Sequence, residues 1–452
     1  MKKCISCMFL FAVSSAFASQ VDRVLVRQRW PWNADVRIEY VVSGLSAPAA
    51  VTFRFYDGDS QIQVSDATAL KGDATYAKNG TNVATFDPKT LFGPAAPAEY
   101  NEFKVQVVLG AENAAMGEKL YRIIDLDTGK VEDLTRADFH NGKYGAFETS
   151  YEAIKSDFST ELPDEDVFIW TDVTNNPAYR TSKMVLRKIP ATDVEWMMGT
   201  NTPGVSMGHM ATPHLVKLTS DYYIGVFPVT QSQYFRLKGS MGSSFTDDEK
   251  YPGHEGFPVY GISYNSWRGK SKYWTVDGSA VDDGSYLDLL RKKCGGTILF
   301  DLPTEAQWEF ACRGGNYVAP LYSGKGYGMN SLKELGWCLD NSEVNGIKQP
   351  HVVGRKYPNA YGLYDMVGNM NEWCLDWSDD GDYAWTSKTE PEVNPAGLPF
   401  SSISLDSTGN GKHIVRGAAY GQTRTYLHSA YRSSVIGSST GNVSIRVVCP
   451  AE

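Results

Sequence analysis

Short runs of alternating apolar and polar residues fill the first third of the chain, at residues 24–30, 35–42, 50–56 and 102–109. Side chains at every second position of a strand share one face, and turn-forming residues separate these runs. The pattern therefore predicts antiparallel strands that pack as a β-sandwich over residues 19–182.

The pattern changes after the predicted sandwich. Residues 304–313 predict a helix, because Thr304 is a candidate N-cap and is followed at helical spacing by Glu305, Trp308, Glu309 and Cys312. Residues 230–237 predict another helix. Short strands are predicted at residues 185–189 and 196–199. The rest is rich in glycine, asparagine, aspartate and tryptophan, which indicates long ordered loops. We therefore predict an α+β fold whose second domain occupies residues 186–450.

Composition narrows the choice of partners. The 452 residues are 42% hydrophobic and 12% aromatic, as in an ordinary globular chain, and they carry a formal net charge of -9 with a pI near 5.4. An acidic chain repels nucleic acid and anionic membranes, so neither is expected as a partner.

Residues 1–18 have the features of a cleaved secretory signal. Two lysines precede an apolar run at residues 8–13, and the small-residue site Ala16-Phe17-Ala18 follows. We therefore expect export to the periplasm or the extracellular space. No later apolar run approaches the roughly 20 residues that cross a bilayer, so no membrane span is predicted.

Residues 361–377 combine aromatic side chains with oxygen donors. Asp365 and Glu372 bracket Gly368 in this segment, where a turning chain can aim carbonyl groups inward. Hard cations such as calcium bind mixed sets of carboxylate and carbonyl oxygens. The alternative is a tight turn whose Trp373 and Trp377 fill a core.

This segment resembles the GLYDMxGNxWEW signature of the formylglycine-generating enzyme (sulfatase-modifying factor) family. Residues 221–234 are similar to the family's FYIGxxPVTQxQY, and residues 302–315 to its LPTEAEWEYACRGG. Further matches occur in order at residues 340–342, 358–364, 415–420, 429–432 and 445–448. The resemblance covers roughly residues 186–448 and implies an irregular fold related to C-type lectins.

The resemblance also implies two structural calcium sites that hold loops in place. The first would use Asn341, the Ser342 carbonyl, Asn345 and the Ile347 carbonyl. The second would use Asp365, Gly368, Met370 and Glu372. The second matches the family spacing without gaps, whereas the loop within the first is shorter than the family's.

Oxidases of this family hold copper with two cysteines in the C-terminal segment. The matching positions here are Gln422 and Leu427, which cannot supply thiolates, so copper is not expected. The resemblance further suggests a disulfide between Cys294 and Cys449. The alternative is that all five cysteines after the leader are small buried apolar residues.

We therefore expect an exported binding or accessory protein without oxidase activity, whose partner is a protein or a glycan. The candidate ligand surface, by resemblance to the family's substrate groove, is Tyr420, Gln422, Arg424, Tyr426, His428 and Tyr431. The alternative is that these tyrosines pack inward as part of the core. The rival function is an oxidoreductase that generates formylglycine on sulfatases, or a related metal-dependent oxidase.

Overall fold

The computed structural model describes residues 19–28, 35–97, 100–149, 167–200, 213–240, 251–269, 280–314, 332–378 and 390–451. The predicted leader, residues 1–18, lies outside this range. Two compact units are present, one of residues 1–120 with 134–146 and one of residues 121–133 with 147–452. Within the described residues, no helix has the length and apolar character of a membrane span.

The elements up to residue 170 are mainly strands, and those within residues 121–133 and 147–170 belong to the second unit. In chain order the elements up to residue 170 are β1 Gln20–Gln28, β2 Val36–Ser43, β3 Ala49–Asp57, β4 Ser60–Ile62, β5 Lys71–Gly72, β6 Tyr76–Ala77, β7 Gly80–Phe86, α1 Pro88–Phe92, β8 Phe103–Glu112, β9 Lys119–Asp125, β10 Val131–Thr135, α2 Arg136–His140, β11 Phe147–Glu148 and β12 Ile169–Trp170. One sheet has the order β1-β2-β7-β5, and in the other β3 pairs with β4, β6 and β8. Alternate side chains from both sheets form one core cluster that includes Ile38, Phe55 and Phe86.

The second unit mixes helices with several small sheets. Its further elements are β13 Lys183–Ile189, β14 Val194–Met198, β15 His214–Leu218, β16 Tyr222–Gly225, α3 Gln231–Lys238, α4 Tyr264–Trp267, α5 Tyr286–Lys293, α6 Glu305–Arg313, α7 Leu332–Leu335, β17 Glu343–Val344, β18 Ile347–Lys348, β19 Asn371–Ser378, β20 Glu392–Val393, β21 Lys412–Arg416, β22 Arg432–Ile436, β23 Val443–Ser444 and β24 Val448–Pro450. Single 3-10 turns lie at Ala67–Ala69, Ala114–Gly117, Thr171–Thr174, Pro177–Arg180, His254–Gly256, Phe400–Ser402 and Arg424–Tyr426. The predicted α+β class is confirmed.

The β9–β10 hairpin belongs to the second unit. The five-stranded sheet has the order β10-β9-β13-β16-β24, and residues 121–125 of β9 pair antiparallel with residues 183–187 of β13. Ile124 and Leu126 enter the same core cluster as Leu186. The compact units therefore divide the chain differently from the predicted limit between residues 182 and 186.

The central strand β19 was not predicted. It lies between β21 and β23, and seven of its eight residues are buried. A strand covered on both faces has no apolar and polar alternation, which explains why the sequence pattern did not show it. The helix predicted at residues 304–313 is confirmed as α6, where Thr304 and Gln307 form a capping box.

Candidate functional site

Three loops meet at Tyr420. The Tyr420 amide donates to the Asn369 carbonyl at 2.9 Å, and the Ser342 hydroxyl donates to the Tyr420 carbonyl at 3.0 Å. The Tyr420 ring packs against a small apolar cluster that contains Tyr260 and Met370. Both predicted cation loops therefore contact the start of the predicted ligand surface.

Asp365 is the carboxylate of the second predicted cation set that has no directly paired cationic side chain among the described residues, although the charges of Arg446 and Lys356 act on it. It is 2% exposed, and its oxygens accept from the Gly354 amide at 2.7 Å and from Asn369 Nδ2 at 3.4 Å. Across the described residues, no cationic side chain donates a hydrogen bond to it. Burial raises the pKa of Asp365 to about 6. A buried carboxylate of this kind suits a bound cation.

Glu372, the other carboxylate of this set, is already neutralised. Arg446 donates Nη2 to its Oε1 at 2.8 Å and Nε to its Oε2 at 3.1 Å, and Trp308 Nε1 donates to Oε2 at 2.7 Å. All three side chains are buried. The Gly368 carbonyl of this set already accepts from the Met370 amide at 2.7 Å, and the paired Glu372 adds no free charge. Asp365 is therefore the member of the set whose charge is open to a hard cation.

The first predicted cation set does not fit a metal ion. Asn341 Oδ1 accepts from the Cys338 amide at 2.8 Å, and the Ser342 carbonyl accepts from the Gln349 amide at 3.2 Å. Asn345 has φ of 51° in the two-residue turn between β17 and β18, and Ile347 pairs with Val344 across that turn. The sequence pattern at residues 341–347 is thus explained by a hairpin turn with positive φ.

An aromatic stack closes the first loop. The His351 ring lies parallel to the Trp337 ring at 3.6 Å, and Lys356 Nζ lies 3.8 Å from the Trp337 centroid. His351 also exchanges backbone hydrogen bonds with the Asn369 side chain, which ties this loop to the second. Sequence reasoning missed this contact because the spacing of these three residues matches neither helix nor strand periodicity.

The six predicted ligand residues divide by exposure. Tyr420, Gln422, Arg424 and Tyr426 are partly exposed, whereas His428 and Tyr431 are each 3% exposed. The placement of His428 and Tyr431 on the contact surface is therefore corrected. Burial lowers the pKa of His428 to about 4, and its Nδ1 accepts from the Ala430 amide. Both residues support the surface from below.

The exposed members are held by their neighbours. Gln422 accepts from the Ala419 amide at 2.7 Å and donates to the Tyr431 hydroxyl at 3.1 Å. Arg424 lies 3.5 Å from Asp340, with each side chain 33% exposed. The Tyr426 ring packs edge-on against Tyr431 at 4.9 Å. The surface is thus preformed in the structure.

The five cysteines within the described residues are free thiols, so the disulfide suggested between Cys294 and Cys449 is not formed in the structure. Cys449 accepts instead from Arg122 at 3.4 Å. Cys312 and Cys374 are fully buried, and burial raises the pKa of both thiols. Such thiols are poor metal ligands because the thiolate form is disfavoured.

Sequence reasoning also missed the buried arginines. Arg416 and Arg446 are 0% exposed and Arg432 is 7% exposed. A charged residue is fully buried almost only when it is paired, so an arginine inside an apolar strand is itself a signal of a carboxylate partner. The signal was present in the β21 sequence Lys412–Arg416, but it does not name the partner.

The chain is similar in sequence to several known proteins. Chaperone protein LppX of Paenibacillus barcinonensis is 30% identical over 181 residues, 35% of this chain and 63% of its own length. The formylglycine-generating enzyme of Bos taurus is 34% identical over 116 residues, 24% of this chain and 29% of its own length. The alignments thus span less than two thirds of either relative.

The solved structure of Treponema denticola variable protein 1 is 23% identical and has a TM-score of 0.44, over 60% of this chain and 96% of that one. The sulfatase-modifying factor enzyme 1-like domain model matches residues 171–451, which is more than half of the 452 residues. By that match, the chain belongs to the sulfatase-modifying factor enzyme 1-like family.

Proposed function

We propose that this chain is an exported family member without oxidase activity, and that its surface at Tyr420, Gln422, Arg424 and Tyr426 binds a protein or glycan ligand. The observation that carries the proposal is the chemistry at positions 422 and 427. Gln422 is an amide bound to Ala419 and Tyr431, and Leu427 is an aliphatic side chain that is 1% exposed. Neither can hold Cu(I), which selects soft thiolate ligands.

Two thiols of the core are not placed to replace the missing pair. Cys312 and Cys374 are each 0% exposed, and both lie in the core cluster that also contains Trp308. A thiol in this setting reaches neither a substrate peptide nor oxygen without opening the core. This supports a role in binding over one in oxidation.

The surface suits recognition in composition and in rigidity. Tyrosine and arginine are enriched at protein interfaces, and side chains fixed before binding lose little conformational entropy on contact. Tyr420 and Tyr426 rest on buried neighbours, while Arg424 is oriented by Asp340. Leu339, which is 36% exposed, extends the surface because its amide bonds to the Gln422 carbonyl.

The activity test uses purified chain with Cu(I), oxygen and a cysteine-containing sulfatase peptide. We expect no aldehyde by mass spectrometry, since Gln422 and Leu427 supply no thiolate pair that could activate oxygen. Aldehyde formed at repeated turnover would overturn the proposal in favour of the oxidase function.

Binding is tested with a double variant on the surface. Arg424→Ala with Tyr426→Ala is expected to lose at least about tenfold in affinity for any ligand found on glycan or peptide arrays. Arg23→Ala with Tyr56→Ala is the matched control, since Arg23 also forms an exposed ion pair, with Glu39 at 3.1 Å. If both double variants bind the ligand with equal affinity, the ligand binds elsewhere on the chain.

We also propose one structural calcium ion, held by the Asp365 carboxylate with the carbonyls of Gly368 and Met370. EDTA is then expected to lower the melting temperature by about 5 °C, and excess calcium to restore it, because a ligand of the folded state stabilises by mass action. Asp365→Asn serves as the control, and its melting temperature should not respond to EDTA. If EDTA leaves the melting temperature of the native chain unchanged, the proposed calcium site is contradicted.

A further inference from the structure

Two carboxylates of helix α6 lie beneath the proposed binding surface. Glu305 is 2% exposed and Glu309 is 0% exposed. Arg432 binds Glu305 in a bidentate pair at 2.8 and 2.9 Å. Glu309 accepts from Arg313 and Arg416, and from the Gly199 amide at 2.9 Å. Burial opposes ionisation, but the charges of Arg313 and Arg416 lower the pKa of Glu309 to about 2.

Arg416 connects these carboxylates to the loop above. Its Nη2 donates to Glu309, and its Nε lies 2.8 Å from Glu305 Oε1. Its Nη1 donates to the carbonyls of Ser429 and Tyr431 at 2.8 and 2.9 Å. A guanidinium group has donors fixed in one plane, so the carboxylates below determine where those carbonyls lie.

The positioning of the loop by Arg416 also reaches the exposed side chains. Tyr431, whose carbonyl Arg416 holds, accepts from Gln422 at its hydroxyl and packs against the Tyr426 ring. Within the loop, the Ala430 and Tyr431 amides both donate to His428, whereas the carbonyls of Ser429 and Tyr431 accept from Arg416. The position of these two carbonyls therefore depends on the buried guanidinium.

We infer that Arg416, fixed by Glu309 and Glu305, is the positioning residue that sets the shape of loop 428–431 and, through Tyr431, the spacing of Gln422 and Tyr426. The inference rests on the proposed function, since the surface that Arg416 shapes is the proposed binding surface. Arg416 touches no ligand itself and acts only through the loop.

Hydrogen–deuterium exchange of the full chain tests this without a ligand. Arg416→Lys keeps the charge but loses the planar fork, and it is expected to speed exchange in residues 424–432 by at least about tenfold. Arg268→Lys is the matched control, because Arg268 is also 0% exposed and pairs with Asp301 at 2.8 and 3.1 Å. The control should leave residues 424–432 unchanged.

Glu309→Gln provides a second variant if Arg416→Lys does not fold, because the amide preserves the shape of the carboxylate. It is expected to speed exchange in the same residues. Unchanged exchange in residues 424–432, or an equal rise in the Arg268→Lys control, would overturn the inference. Since no ligand enters the experiment, its failure is distinguishable from failure of the binding proposal.

Discussion

A chain that begins at residue 147 is expected to lose cooperative folding, although it contains the whole segment 171–451 that matches the family. It lacks the β9–β10 hairpin, so β13 loses its pairing with residues 121–125. Ile124 is 0% exposed and Leu126 is 1% exposed, and losing each costs about 1.5–3 kcal/mol in apolar burial alone. The lost strand pairing adds to this, against a total stability of about 5–15 kcal/mol.

Polar contacts of the hairpin are lost as well. Arg122 forms a bidentate pair with Asp133 at 2.7 and 3.0 Å, and its guanidinium lies 4.4 Å from the Tyr223 ring centroid. Urea unfolding followed by near-ultraviolet circular dichroism measures the effect. A chain that begins at residue 119, and so keeps the hairpin, is the control and should unfold cooperatively. The same sharp transition in both chains would show that the hairpin is dispensable.

Asp376→Asn is expected to stabilise the protein at alkaline pH. Asp376 is 2% exposed, and its Oδ2 accepts from the Glu305 amide at 2.7 Å. Burial, with the neighbouring charge of Glu305, raises the pKa of Asp376 to about 8, while Arg432 opposes the rise. An unfolded aspartate titrates near 4, so the folded state holds a proton that the unfolded chain releases.

The sign follows from this difference. Protonated Asp376 makes its full contribution to the free energy of unfolding below about pH 4. That contribution falls as the pH rises towards 8, because the unfolded state then binds fewer protons than the folded state. Asparagine keeps an acceptor oxygen for the Glu305 amide and does not titrate. The variant should therefore exceed the native protein by a few kcal/mol at pH 8, roughly the size implied by a shift of several pKa units.

Urea unfolding at pH 6.5, 7.5 and 8.5 checks the expectation. Burial lowers the pKa of His413 to about 3, whereas an unfolded histidine titrates at about 6.5, so this residue adds a pH dependence of its own that is the same in all three proteins. Asp283→Asn is the control, because the Asp283 side chain is 93% exposed. The stability of the native protein and of this control should change in parallel with pH, whereas Asp376→Asn should gain stability relative to both as the pH rises. Parallel slopes for all three proteins would contradict the assignment.

The elements that the sequence predicted are those with local signals. β2 and β3 were predicted because one face of each strand is buried and the other is not. Helix α6 was predicted from Thr304 as its N-cap and from the helical spacing of Glu305, Trp308, Glu309 and Cys312. β19 has no such alternation, and its burial on both faces depends on strands that lie far away in sequence.

The site was predictable only in part for the same reason. Asp365 was named as a candidate from its place in residues 361–377, but the pairing of Glu372 with Arg446 joins residues 74 positions apart. His428 and Tyr431 were placed on the surface by resemblance to the family's substrate groove, and that resemblance does not encode the burial of individual side chains. The β9–β13 pairing likewise joins distant segments, so no local pattern shows it.

The central claim is that positions 422 and 427 have lost the chemistry that holds a redox metal. Titration of anaerobic, purified chain with Cu(I), beside a Gln422→Cys, Leu427→Cys double variant, tests it most directly. We predict no tightly bound copper on the native chain and measurable binding on the double variant. One equivalent of Cu(I) held tightly by the native chain would contradict the account.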